Sequence, residues 1–103
     1  MNIFYYKTGE LIVNSKKYQL TKMQSKILFV LINNKLNTYE EIYSYIYNLD
    51  AEEVERLDRQ ITRAINTHIC RLRKTGLKIQ TTYNYGMRLL DKICIHSKGE
   101  SNE

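Results

Sequence analysis

At 103 residues the chain has room for one domain with a single core and not for two. Hydrophobic residues at 43% and charged residues at 26% exclude a generally disordered chain, so the domain is expected over 1–95 and a polar, disordered tail over 96–103. The formal net charge is +5, and Arg56 to Lys74 alone carries six Lys/Arg against one Asp, which leaves the rest of the chain neutral on balance.

The longest apolar run, Ile27 to Ile32, is far too short to span a bilayer, and no secretory leader pattern opens the chain. A soluble, cytoplasmic protein without membrane contact is therefore expected. Cys70 and Cys94 are too few for a disulfide framework and read as free thiols.

Ile3 to Tyr6 and Leu11 to Val13 are apolar, β-branched or aromatic, and Lys7-Thr8-Gly9-Glu10 between them predicts a hairpin. A second turn at Asn14-Ser15-Lys16 leads to a third antiparallel strand over Lys17 to Leu20. Thr21-Lys22-Met23-Gln24 has the form of a capping box and predicts a first helix, with Ile27, Leu28, Leu31 and Ile32 as its core stripe and an end at Asn33-Asn34. The same device at Thr38 to Glu41 predicts a second helix, reaching about Asn48, that turns Ile42, Tyr45, Ile46 and Leu49 to the core. Tyr39, Tyr43, Tyr45 and Tyr47 read as core and rim.

The third helix is the centre of the reading. Leu57, Ile61, Ile65, Ile69 and Leu72 recur at steps of four, four, four and three, the stripe of a helix with one buried face. The opposite side carries Arg59, Arg63, Asn66, Thr67, Cys70, Arg71 and Lys74, long cations mixed with short hydrogen-bonding groups, a combination suited to nucleic acid. Acidic residues Asp50, Glu52, Glu53 and Glu55 precede it, leaving open whether the helix begins there or after a loop. Gly76 is expected to end it. Lys78 to Tyr83 and Met87 to Leu90 then predict a second hairpin around Asn84-Tyr85-Gly86.

The predicted order is α+β: sheet, three helices, hairpin. That is the plan of a winged helix-turn-helix, with the third helix in the major groove and the hairpin wing on the flanking backbone. Ile65-Asn66-Thr67-His68-Ile69-Cys70-Arg71-Leu72-Arg73-Lys74, Ile79-Gln80-Thr81-Thr82 and Gly86-Met87-Arg88-Leu89 resemble the DNA-binding effector domain of OmpR/PhoB-type transcriptional regulators. The resemblance spans about residues 3 to 91. It implies double-stranded DNA as partner, a recognition helix at about 57–74 and a wing at about 78–90. By position, Thr67 matches a place that meets base edges, His68 and Arg73 match places on backbone or bases, and Arg71 matches an arginine of the groove face. Thr82, Tyr83, Tyr85 and Arg88 lie in the implied wing. Cys70, Tyr83 and Met87 depart from the family's usual basic residue, wing arginine and aromatic. The resemblance also implies two copies paired on repeated half-sites, and the length leaves no room for the receiver domain such regulators usually carry.

Competing readings apply to each residue. The cations also suit a solvated helix face, and Tyr83 and Tyr85 suit cross-strand packing as well as sugar-phosphate contact. His68 suits the core edge as well as phosphate. His68 and Cys70, two apart on a helix, point about 200° from one another, so neither a zinc site with Cys94 and His96 nor any other cofactor is expected. No phosphate-cradling loop or activated nucleophile suggests an enzyme. The rival to a DNA-binding regulator is a winged-helix adaptor or inhibitor that binds RNA polymerase or another regulator, for which the tyrosine-rich second helix speaks.

Overall fold

The computed structural model describes residues 2–47, 59–82 and 85–96, with the backbone alone for 59–61. Strands β1 (Ile3–Tyr5), β2 (Glu10–Val13) and β3 (Lys16–Gln19) form an antiparallel meander. Gly9, at φ 82°, supplies the left-handed residue of the first turn. The second is a two-residue loop in which Asn14 (φ 51°) and Ser15 (φ 70°) are both left-handed, the backbone that matches strand twist in tight hairpins.

Helix α1 (Lys22–Leu31) starts where its capping box places it: Thr21 Oγ1 accepts from Gln24 N at 3.2 Å, and Gln24 Oε1 accepts from Thr21 N at 3.0 Å. Asn34, at φ 61°, turns the chain out of the helix. A two-residue strand, β4 (Asn37–Thr38), runs directly into α2 (Tyr39–Tyr47). Thr38 and Glu41 repeat the reciprocal cap at 3.1 and 2.9 Å. Helix α3 (Arg59–Arg73) is followed by the hairpin β5 (Ile79–Thr82) and β6 (Gly86–Leu89), and then β7 (Cys94–His96). The α+β architecture thus holds three helices and two sheets among the described residues. None of these helices is long and apolar enough to cross a membrane.

The sheets have the orders β3-β2-β1-β7 and β4-β6-β5. Two of these strands depart from the sequence reading. His96 was expected to open the disordered tail, but it ends β7, which pairs in parallel with β1. Ile95 lies opposite Phe4 there, and the His96 ring packs 5.4 Å from Tyr5, contacts that draw the segment onto the sheet. β4 was not anticipated; Asn37 and Thr38 pair with Met87 and Gly86. A third departure concerns Tyr45, which faces outward and is 50% exposed, while Tyr39, Ile42 and Ile46 take the buried positions of α2. Leu49, Leu57 and the acidic stretch 50–55 lie outside the described residues.

The core joins Phe4 and Leu11 of the first sheet to Ile27, Leu28 and Leu31 of α1, Ile42 of α2, Ile65, Ile69 and Leu72 of α3, and Met87 and Leu89 of β6. Each fully buried side chain of this size contributes about 1.5–3 kcal/mol. The three α3 residues lie on one stripe, so burying them fixes which face of that helix is presented outward.

Candidate nucleic-acid interface

Helix α3 contains no carboxylate over its fifteen residues. At about 100° per residue, Arg63, Thr67, Cys70 and Lys74 fall within about 60° of one another, diametrically across from Ile65, Ile69 and Leu72. All four are exposed, as is Arg71 at the margin of the same face. Arg63 to Lys74 extends about 16 Å along the axis, comparable to a helix segment lying in a major groove.

The candidate residues do not all remain available. Asn66 is half-buried, and its Oδ1 accepts from the Tyr39 hydroxyl at 2.9 Å, which leaves its amide nitrogen as the outward group. Thr67 Oγ1 donates to the Arg63 carbonyl at 2.9 Å, so its hydroxyl proton is already engaged. His68 stands at the boundary of the buried face, half-buried, with Nδ1 enclosed and unpartnered among the described residues. Burial first, and the neighbouring Arg71 charge second, lower its pKa from the usual imidazole value.

Arg73 has a different task from its neighbours. Its guanidinium donates through Nε and Nη2 to the Ile79 carbonyl, at 3.1 and 2.8 Å, and Nη2 also donates to Thr81 Oγ1 at 2.6 Å. These bonds tie the last turn of α3 to β5. Gly76 (φ 104°) makes the reversal between the two elements, and the Thr75 hydroxyl donates to the Leu72 carbonyl at 2.6 Å beneath it. Arg71 and Arg73 also sit in the last turn, where the helix dipole favours positive charge.

The hairpin is fixed at two further points. Asn34 Nδ2 donates to the carbonyls of Leu89 and Asp91 at 2.9 and 2.8 Å, linking it to the end of α1. At the other end Tyr39 N donates to the Tyr85 carbonyl at 3.1 Å, and β4 lies against β6. Gly86 permits that pairing, because a Cβ there would stand 1.9 Å from the Asn37 carbonyl oxygen. The hairpin therefore has a set position relative to α3.

Its outward side carries Gln80 opposite Arg88, with Arg88 Nη2 donating to Gln80 Oε1 at 3.1 Å. Thr82 is exposed, and Tyr85 is 51% exposed. Gln80 is not among the residues assigned from sequence, although its place directly after buried Ile79 on a strand turns it outward. Tyr83 lies outside the described residues, as does the side chain of Arg59. Cys70 and Cys94 are free and exposed. The surface so assembled, cations and short polar groups on α3 beside a fixed hairpin, can neutralise phosphates and meet base edges. No protein-family model, characterised protein or solved structure matches the chain.

Proposed function

We propose that the chain is a winged-helix protein that binds double-stranded DNA in a sequence-specific manner and regulates transcription. In this reading α3 enters the major groove and the β5–β6 hairpin acts as the wing. The observation that carries it is the outward face of α3: Arg63, Thr67, Cys70, Arg71 and Lys74 all exposed on a helix free of carboxylates. Phosphate contacts come from Arg63, Lys74 and Arg88, and Thr67 and Arg71 are the residues placed to read bases. Arg73 serves by holding the hairpin at its angle to α3.

A salt titration of binding to random duplex fragments, with sequencing of the retained DNA, tests the proposal. The three cations assigned to phosphates give a log–log slope of about −3. A recovered motif with that slope supports a specific regulator, whereas retention without a motif reduces it to a non-specific binder. The second reading, a protein-interaction module acting on transcription machinery, is favoured by the exposed Tyr45 and Tyr47 of α2, at 50% and 46%. Salt-tolerant binding to a protein, with no duplex retention at low salt, would select it.

A further inference from the structure

A hollow of ≈ 300 Å³ opens beside the β1–β2 turn, α1 and α2, and no residue of α3 or the β5–β6 hairpin lines it. Its apolar floor is aromatic. The Tyr6 and Phe29 rings lie 5.2 Å apart, and Phe29 stacks on Tyr45 at 6.1 Å with 23° between planes. Lys7, Lys22 and Lys26 stand around this floor, with no carboxylate among the described residues of the lining. Among the described residues none of the three lysines enters an ion pair. Like charges gathered without a counter-charge repel, and an anion seated between them relieves that repulsion.

A second hollow of ≈ 290 Å³ shares Tyr6, Lys7, Lys22 and Ser25 with the first and reaches Gly9. Ser25 therefore lines both. Among the described residues its hydroxyl oxygen has no hydrogen-bond partner, so moving it from one staggered χ1 well to another breaks none of the bonds described. A Cβ at position 9 would stand 3.1 Å from that oxygen, which is itself enclosed.

We propose that this hollow binds a small planar aromatic anion, a single ring bearing a carboxylate or a phosphate. The ring lies against Phe29 and Tyr45, the anionic group sits among Lys7, Lys22 and Lys26, and the Ser25 hydroxyl donates to it. The volume, at the small end of ligand sites, suits one ring with one charged substituent. A neutral ring would leave the lysines uncompensated, and an inorganic anion would leave the aromatic floor in water. The site is independent of the DNA-binding reading.

The test is a titration of the full chain followed through its amide chemical shifts, with phenyl phosphate and benzoate as probes and inorganic phosphate and benzyl alcohol as their partial counterparts. Saturable shifts are expected at Gly9, Lys22, Ser25, Phe29 and Tyr45, with at least one aromatic anion bound about tenfold more tightly than either partial probe. Whichever of the two anions binds better identifies the headgroup. Ser25→Ala removes a hydroxyl with no hydrogen-bond partner among the described residues, so the variant is expected to fold and to weaken binding about tenfold. Lys22→Gln combined with Lys26→Gln is expected to do the same. Equal affinity for inorganic phosphate or for benzyl alcohol, shifts that never saturate, shifts centred on Arg63 to Lys74, or unchanged affinity in both variants would each overturn the proposal.

Discussion

His68 shows how one side chain on the edge of a buried face responds to its surroundings. Its lowered pKa means that the folded protein resists a proton that the unfolded chain accepts at about pH 6.5. Stability is therefore complete above that pH and declines as pH falls below it, down to the folded-state pKa. Urea midpoints compared at pH 7.5 and pH 5.5 should fall in the wild type and fall less in His68→Gln. Two residues of similar chemistry on α3 are expected to separate. Arg71→Ala should leave the unfolding midpoint unchanged and cost about 1–3 kcal/mol of DNA affinity if it reads a base. Arg73→Ala, which removes the bonds to Ile79 and Thr81, should itself destabilise the fold by about 1–2 kcal/mol. Thermal melts alongside duplex titrations distinguish them. Gly86→Ala drives a methyl into the Asn37 carbonyl and should cost about 3 kcal/mol in a chemical denaturation.

At the level of elements, the features readable in the sequence are those whose causes lie within a few residues. Thr21 with Gln24 and Thr38 with Glu41 mark both helix starts, and each cap closes through a pair three apart. The α3 stripe was legible for the same reason, and Ile65, Ile69 and Leu72 are all buried. β4 and β7 were not legible, since strands of two and three residues carry almost no period and owe their form to partners far along the chain. Tyr45 was misplaced because its spacing fits the stripe of α2, while the aromatic face of Phe29 offers it a position outside the core. Local backbone also leaves room for improvement. Ser15 adopts φ 70° in the turn between β2 and β3, so Ser15→Gly should raise stability by about 0.5–1 kcal/mol, read from a denaturation midpoint.

Across the whole molecule, a candidate surface arises because separate contacts converge on the hairpin: Arg73 from α3, Asn34 from the end of α1, and β4 at the start of α2. The cationic face of α3 could be read from periodicity, whereas Arg73 was grouped with the DNA-facing residues because nothing in its neighbours announces that the Ile79 carbonyl lies within reach. Asn66 likewise gave no sign of its bond to Tyr39, twenty-seven residues earlier. Loosening the hairpin by Asn34→Ala should lower duplex affinity without removing any cation, and the slope of affinity against salt should stay unchanged while its intercept falls.

The parallel pairing of β1 with β7 bears on how the protein is made. Ile3 lies opposite Cys94, so the fourth strand of the first sheet reaches the ribosome exit about ninety residues after the strand it must join. Until then β1 has an open edge on a three-stranded meander, available to any other extended segment that passes. Synthesis of the helices and the second hairpin thus takes place beside an incomplete sheet, and the last described strand is the one that closes it.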